Sequence, residues 1–355
     1  MLEYFILTIY VLLISLFKFK NRKLQLFLCF FPFFLFIATR IGWTADYYNY
    51  ESMFLEQHFW SWRDYIFFSF NKFEPGFFLL IKSLPSYRAL LIFISLFYTS
   101  AIFLVFYKYI PRKYYFLAFV LWFYNPTFFE SFAAVRSSIV IAFFIFATHL
   151  KINGRILYSI ILILISGFFH KSGFLLLPFI LIPIEFIKKH FFKISLSIFI
   201  LFLIIILSPS LIVEKINEYL TDSQFSSYSS YLNYADSYGL GYMLFTTLRI
   251  VFISYFLFLI KKNIIVEKYL WFVLIMFFYY ILSSIPNIQI AYRFNVYLNP
   301  FIIVLQIYVL SRDKSVFSKI YISLTLFYMF YYFSTFFNHP NYIPYFLNYD
   351  SSLLK

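Results

Sequence analysis

The chain alternates between long apolar runs and short polar segments. A helix that crosses a bilayer needs about 20 apolar residues, with about 17–25 as the usual range. The run at 76–107 is interrupted by Pro85 and Ser86, so it predicts a short helix over 76–84 followed by a crossing helix. The run at 114–124 is expected to continue past Pro126 toward residue 130. The runs lie at 2–17, 24–39, 76–107, 114–124, 134–150, 156–169, 172–187, 194–213, 244–260, 265–285, 290–310 and 320–337.

This pattern predicts an all-α polytopic membrane protein with about twelve transmembrane helices, forming a single domain over residues 1–355. The composition agrees, since 63% of the residues are apolar and only 12% are charged, against about 25% charged in soluble proteins. A soluble fold cannot hide that much apolar surface. The single cysteine, Cys29, excludes an internal disulfide and a site built from several thiolates.

The basic residues predict the orientation. The first apolar run opens with Met1-Leu2-Glu3 and its cations follow it, which is opposite to a cleaved signal peptide. Lys and Arg favour cytoplasmic loops, so both termini are expected outside the cell. The net charge of +14 is thus interpreted as topology rather than as nucleic-acid binding. The predicted inner loops hold Lys18, Lys20, Arg22, Lys23, Lys108, Arg112, Lys113, Lys151, Arg155, Lys188, Lys189, Lys193, Lys261, Lys262, Lys268, Arg312, Lys314 and Lys319, with Glu185, Glu267 and Asp313 as the acids.

Polar chemistry concentrates at the predicted outer face, where segments 40–75 and 214–243 are expected to contribute to a site. At the outer end of the second run, Arg40 precedes Asp46, Tyr47 and Tyr50. Arginine offers a planar fork to an anion, and tyrosine rings suit sugars. The alternative is an interfacial aromatic belt with an arginine that reaches the interface.

Further candidates begin or end other apolar runs. Glu74 before Pro75 is either a helix N-terminal signal or a carboxylate at the mouth of a cavity. Arg136 stands at the entry of an apolar helix, where an unpaired arginine is costly. His170 and Lys171 interrupt two apolar runs; a lone histidine is more often structural, although it can act as a base.

Arg249 and Arg293 complete a set of cations expected at similar depth on the outer face. Together with Arg40, Arg136 and Lys171, they are predicted to converge on a lipid-linked phosphate or pyrophosphate. The Ser- and Tyr-rich segment 222–242 predicts a mobile loop that covers a sugar chain.

Five short motifs follow one another along the chain: Arg40-x-Gly42 with Asp46-x-x-x-Tyr50, Glu74-Pro75-Gly76-Phe77, Ala134-Val135-Arg136, His170-Lys171-Ser172-Gly173 and Tyr292-Arg293-Phe294. In this order they resemble the EpsG family of Wzy-like polymerases of capsular polysaccharide, exopolysaccharide and O-antigen, over residues 30–305. Ser137 stands where a Gln often follows the arginine of the third motif in that family.

The resemblance implies a C-type membrane glycosyltransferase in the bacterial cytoplasmic membrane, with its active site on the outer face. It implies transfer of a growing glycan from undecaprenyl pyrophosphate to the terminal sugar of a lipid-linked repeat unit, without a cofactor or metal. A chain-length regulator is a candidate partner, and no nucleic acid is expected. On this hypothesis His170, Asp46 or Glu74 is the catalytic base. Tyr47, Tyr50 and the five cations Arg40, Arg136, Lys171, Arg249 and Arg293 bind glycan and pyrophosphate.

Two other functions stay open on the sequence. A lipid-linked oligosaccharide flippase is one, although seven glycines are few for the broken helices of transporters. Another membrane transferase, such as an O-antigen ligase or an acyltransferase, is the second.

Overall fold

The structure, a computed structural model, describes residues 2–42, 45–67, 73–125, 128–129, 133–207, 240–284, 289–338 and 350–351. These residues are mostly helical, as the all-α membrane class predicts, and include one two-residue antiparallel strand pair. The chain divides into two compact units, Met1–Leu181 with Ser323–Lys355, and Ile182–Ile322. A single domain stays a prediction.

The first unit contains the helices that carry most of the candidate residues. They are α1 (Leu2–Leu16), α2 (Arg22–Ala38), α3 (Ala45–Phe59), α4 (Trp62–Phe67), α5 (Pro75–Ser83), α6 (Tyr87–Tyr109), α7 (Tyr115–Phe123), α8 (Val135–Ile152), α9 (Ile156–Phe169) and α10 (Leu177–Leu181). Two 3₁₀ turns, Arg112–Tyr114 and Lys171–Leu176, precede α7 and α10. Strand β1 (Arg40–Ile41) pairs with β2 (Asp350–Ser351).

The second unit is also helical where it is described. Its elements are α11 (Ile184–Leu207), α12 (Leu240–Lys261), a 3₁₀ turn (Glu267–Tyr269), α13 (Leu270–Ser283) and α14 (Gln289–Arg312), with the start of α15 (Val316–Asn338). A buried hydrogen-bonded set at its centre joins Tyr321 to Tyr280 at 3.1 Å and to Gln306 at 3.3 Å.

Local sequence signals explain where the helices begin. The side chain of Asn21 accepts the N–H groups of Lys23 and Leu24 before α2, and Ser86 accepts the N–H of Ala89 before α6. The predicted break at Pro85 and Ser86 is therefore confirmed. Helix α7 ends at Phe123, while residues 126–127 and 130–132 lie outside the described part of the chain, so the extension toward 130 stays a prediction.

Aromatic side chains fill the core between α2, α6 and α7. Phe30 and Phe119 have ring centroids 4.6 Å apart, and Phe33 meets Phe123 edge-on at 4.7 Å. The fully buried Trp122 donates its indole N–H to Tyr98 at 3.2 Å, so its polar atom is satisfied inside the core.

The predicted seventh crossing has the wrong boundary. It ends at Leu181 rather than residue 187, because Ile182 and Pro183 separate α10 from α11 and Pro183 has no N–H to continue the helix. Helix α9 rises about 21 Å over its 14 residues. The 3₁₀ turn and α10 span about 20 Å over 11 residues, because a 3₁₀ turn rises about 2.0 Å per residue.

Lysines lie on both sides of the break between α10 and α11. The buried Lys151 donates its Nζ to the carbonyls of Phe179 at 2.6 Å and Ile180 at 2.9 Å, which satisfies the last turn of α10. The interpretation of Lys188, Lys189 and Lys193 as loop residues is wrong, because all three lie within α11.

By length and composition, three helices in the described ranges can cross a membrane. They are Tyr87–Tyr109, Val135–Ile152 and Phe294–Arg312, and the shorter apolar helices are Glu3–Leu16, Ile156–Phe169, Lys171–Leu181 and Val316–Tyr331. The count of twelve crossings stays a prediction. The described residues of segment 40–75 include β1, α3 and α4. Residues 208–239, which include most of the predicted covering loop, lie outside the described part of the chain.

We expect Lys151→Met to lower the stability of the first unit. Methionine keeps the aliphatic stem but leaves two buried carbonyls without their donor, which costs about 1–3 kcal/mol. Thermal unfolding of the purified protein in detergent measures the loss. Lys189→Met, at an exposed position on α11, is the matched control; equal unfolding temperatures for the two variants would contradict this role of Lys151.

Candidate active site

The candidate site lies at one end of the first unit, where three segments of the chain meet. Glu74 directly precedes α5, Arg136 is the second residue of α8, and His170 directly follows α9. The positive end of the α8 dipole disfavours a cation at Arg136, so that position favours an anionic partner.

Glu74 is that partner, and it joins the three segments. Its Oε2 accepts Arg136 Nη1 at 2.6 Å, and its Oε1 contacts His170 Nδ1 at 2.9 Å. Oε1 also accepts the backbone N–H of Lys171 at 3.3 Å. The Glu74 side chain is only 9% exposed, against 25% for Arg136 and 26% for His170. A largely buried carboxylate thus has both oxygens satisfied by donors.

Two aromatic residues hold the other side of Arg136. Its Nε donates to Tyr50 Oη at 3.2 Å, and its guanidinium carbon lies 5.1 Å from the Phe73 ring centroid. The Tyr50 and Phe73 rings are stacked at 5.6 Å with 5° between their planes. Hydrogen bonds and cation–π contacts therefore fix the guanidinium in one orientation.

The surroundings keep Glu74 ionised. Burial would raise the pKa of Glu74, but the hydrogen bond from His170 and the charge of Arg136 outweigh burial and lower that pKa from 4.5 to about 2. An ionised carboxylate only accepts hydrogen bonds, so His170 Nδ1 carries the proton toward Glu74. In the neutral form of the imidazole with its proton on Nδ1, Nε2 is a proton acceptor.

Three groups keep unused hydrogen-bonding capacity. Within the residues that the structure describes, Arg136 Nη2, His170 Nε2 and Lys171 Nζ have no hydrogen-bond partner. With a neutral histidine, Glu74, Arg136 and Lys171 carry a net charge of +1. The arrangement therefore offers one base and two cationic donors to a ligand.

Arg40 and Tyr47 are buried, whereas sugar binding requires exposed side chains. Arg40 is 4% exposed and donates Nη1 to the carbonyl of Ile37 at 2.7 Å. Tyr47 belongs to the hydrophobic core and meets Tyr87 edge-on at 5.3 Å. Burial and the charge of Glu51 raise the pKa of Tyr47, while the nearby guanidiniums of Arg88 and Arg40 lower it; the net direction is up.

Asp46 is exposed in the first turn of α3. It lies four residues before Tyr50, so the two side chains share one helix face. Gly42, which directly follows β1, has φ of +58°, and a side chain there would meet the Tyr48 hydroxyl at 2.5 Å. This conformation explains the glycine of the Arg40-x-Gly42 motif.

The remaining two cations belong to the second unit. Arg249 donates Nη1 to the Ser283 carbonyl at 2.7 Å and to Ser284 Oγ at 3.1 Å, so it caps the end of α13. Arg293 lies on α14, and its side chain is outside the described part of the structure. The convergence of all five cations therefore stays a prediction.

From the sequence, Glu74, Arg136 and His170 are three separate candidates, and the contacts that join them are not predicted. Phe73, whose ring lies against the Arg136 guanidinium, is not among the predicted site residues. The available signal was charge: an acid before one apolar helix and an arginine at the entry of another, both assigned to the same predicted face. Over the described ranges, no cluster of three or more His, Cys, Asp and Glu side chains could hold a metal ion.

A family model described as the EpsG family matches residues 23–347, nearly the whole chain. The chain belongs to the EpsG family. This is a Wzy-like polysaccharide polymerase family, so the chain has a polysaccharide-polymerase-like function at a membrane. No curated protein and no solved structure matches this EpsG-family chain.

The EpsG-type motif Glu74-Pro75-Gly76-Phe77 has a packing reason for its glycine. A Cβ at Gly76 would lie 2.9 Å from the Phe168 carbonyl oxygen and 3.0 Å from its carbon, and both atoms are backbone. The missing side chain lets α5 approach α9 closely, just before His170. The same close approach places Glu74 beside His170.

We expect Gly76→Ala to destabilise the site. Alanine favours a helix by about 1 kcal/mol over glycine, but the clash with the α9 backbone should cost about 1–3 kcal/mol and separate α5 from α9. Thermal unfolding and polymer yield measure the two effects. Ser83→Ala on the same helix is the control, and a Gly76→Ala protein as stable and active as that control would contradict the packing argument.

We expect Glu74 to make the free energy of unfolding depend on pH in the acidic range. Its folded pKa of about 2 lies below its ordinary 4.5, so ionisation contributes about 3 kcal/mol that is fully present above pH 4.5. The contribution should disappear as the pH falls through 2. Unfolding of the wild type and of Glu74→Gln, measured at several pH values, should converge in acid. Glu56→Gln, an exposed control, should track the wild type throughout; a constant gap between wild type and Glu74→Gln would contradict the assignment.

Proposed function

We propose that the chain is a membrane glycosyltransferase that polymerises lipid-linked repeat units. It transfers the growing glycan from undecaprenyl pyrophosphate to the terminal sugar hydroxyl of a new repeat unit, on the outer face of the cytoplasmic membrane. The observation that carries the proposal is the Glu74-centred contact of Arg136 and His170, with a base and two cations still able to bind.

Charge supports the outer location of the site. Helix α6 runs from Tyr87, next to Tyr47 at the site end, to Tyr109 beside Lys108, about 34 Å away for 23 residues. Helix α8 likewise runs from Arg136 to Lys151 at its far end. Within the first unit, Lys108 and Lys151 therefore lie at the end opposite the site, and basic residues favour the cytoplasmic side. A C-type fold with about twelve crossings is part of the proposal.

His170 is the proposed base. Its Nε2 takes the proton of the acceptor hydroxyl as that oxygen forms a bond to the anomeric carbon of the donor glycan. The bond from the anomeric carbon to the pyrophosphate oxygen breaks, and its electron pair leaves with the pyrophosphate. Glu74 holds the Nδ1–H and stabilises the imidazolium that forms, as the carboxylate of a histidine–carboxylate pair does.

Arg136 and Lys171 are the proposed pyrophosphate ligands. Negative charge grows on the leaving pyrophosphate in the transition state, and fixed cationic donors stabilise that charge. Arg136 is already oriented by Glu74 and Tyr50, so binding costs it little further ordering. Arg40 is buried and supports the site through the strand that precedes α3. A ligand role for Arg249 and Arg293 stays a prediction.

Glu74 is the weakest of the three candidate bases. Its low pKa and its two occupied oxygens make it a positioning residue rather than a proton acceptor. Asp46 remains the alternative base, since it is exposed and one helical turn before Tyr50. Tyr50 itself presents its ring beside Arg136, where it can contact a sugar.

We expect alanine variants of Arg136 and His170 to stop chain extension and to leave single repeat units on the lipid. Loss of a general base costs about 10²–10⁴-fold in rate, so polymer should fall by at least about 100-fold. Gel analysis of polymer and mass spectrometry of lipid-linked glycans give the two readouts. Arg40→Ala and Arg293→Ala are expected to behave in the same way.

The controls are His190→Ala and Arg155→Ala, which remove the same side-chain types elsewhere, with protein level in the membrane measured for every variant. Asp46→Asn distinguishes the bases: it should keep polymer if His170 is the base. Full-length polymer from the Arg40, Arg136, His170 and Arg293 variants would refute the proposal.

A further inference from the structure

The opposite end of the first unit gathers cations from two stretches of the chain, the start of α2 and the end of α6. Arg22, the first residue of α2, donates Nη2 to the carbonyls of Ile110 at 2.8 Å and Phe106 at 3.4 Å, and its Nε to Tyr115 Oη. It thereby caps the end of α6. This bonding fixes the start of α2 against the end of α6.

One tyrosine ring stands at the centre of these cations. Arg22 Cζ, Lys108 Nζ and Lys23 Nζ lie 5.1, 5.5 and 5.7 Å from the centroid of Tyr107. The three charges thus lie at most about 11 Å from one another, a separation comparable to the Debye length of about 8 Å at physiological ionic strength. Each gains from the ring, yet they repel each other.

The cations keep donors for a ligand. Across the described residues, Arg22 Nη1, Lys23 Nζ and Lys108 Nζ make no hydrogen bond. Arg112 donates Nε to Gln25 Oε1 at 2.5 Å, while its buried Nη2 has no partner. Both Arg22 and Arg112 interact electrostatically with Tyr115, so the two guanidiniums lie near the same tyrosine.

The two stretches of the chain that supply these cations contain no acid. Residues 16–23 and 106–115 include no Asp or Glu. The cations at the site end differ, because Glu74 pairs with Arg136 there. An anion from outside the chain would supply a counter-charge for the cluster of Arg22, Lys23 and Lys108 around Tyr107.

An apolar stripe runs from the cluster along α2. Phe27 and Phe31 follow Lys23 at intervals of four residues, on one helix face. Phe27 is 52% and Phe31 43% exposed, and their rings stack at 5.5 Å. A phosphate held at Lys23 would therefore have an uncovered aromatic path for an acyl chain directly beneath it.

We infer that Arg22, Lys23, Lys108 and Tyr107 bind the headgroup phosphate of an anionic phospholipid, whose acyl chain lies along Phe27 and Phe31. The phosphate supplies the missing negative charge, and the depth matches because the cluster stands at the end of apolar helices. Anionic lipids attract basic segments beside a membrane helix. The inference is independent of the proposed glycan transfer.

The experiment uses the full-length protein, purified and delipidated in neutral detergent. Binding of phosphatidylglycerol, phosphatidylcholine and inorganic phosphate is measured by native mass spectrometry and by thermal shift. We expect wild type to prefer phosphatidylglycerol, and Lys23→Ala combined with Lys108→Ala to bind it about 10-fold more weakly. Both lysines are exposed and make no hydrogen bond in the described chain, so their removal should leave the fold intact.

Lys18→Ala combined with Lys20→Ala is the matched control. It removes the same charge from the same predicted face without touching Tyr107, so its binding should stay close to that of wild type. Equal losses in both double variants would mean general attraction and overturn the inference, as would unchanged binding in both. Full displacement of the lipid by millimolar phosphate would assign the site to a free anion instead and also overturn it.

Discussion

The structure of the first unit depends on one buried carboxylate. Glu74 contacts Arg136 from α8 and His170 from the end of α9, and it lies at the start of α5. Removing one partner of a buried ion pair leaves an uncompensated charge, which is more costly than the pair is worth. Three helix ends are therefore linked through a single side chain that has to stay ionised.

Positively charged side chains have different partners at the two ends of this unit. At the site end, an acid neutralises Arg136, and aromatic rings fix its plane. At the basic end, backbone carbonyls and one tyrosine ring take the place of acids. A cation whose neighbours are carbonyls and rings keeps its full charge, so Arg22, Lys23 and Lys108 leave more unbalanced charge at the basic end than Glu74, Arg136 and Lys171 leave at the site. The same residue type thus has an acid as its partner at one end and carbonyls and a ring at the other.

The sequence predicts the helices well and the contacts between them poorly. Apolar periodicity and the Pro85–Ser86 break locate α5 and α6, because both signals are local. The Glu74–Arg136 contact joins residues 62 positions apart, and only packing decides which helices become neighbours. The apolar pattern predicts a helix that continues to residue 187, because hydropathy stays high up to Lys188. The actual end of α10 at Leu181 is set by Pro183, and Lys188 lies on α11.

Burial explains why some candidate residues are better suited to support than to binding. Tyr47 and Arg40 were singled out for chemistry that requires exposure, yet both are less than a tenth exposed. The Arg40 side chain donates a hydrogen bond to the carbonyl of Ile37 at the end of α2. The backbone of Arg40 belongs to β1, which pairs with β2. Its place in the family motif then reflects the positioning of α3, whose Tyr50 reaches Arg136. Motif residues of this kind shape a site through the backbone that they hold.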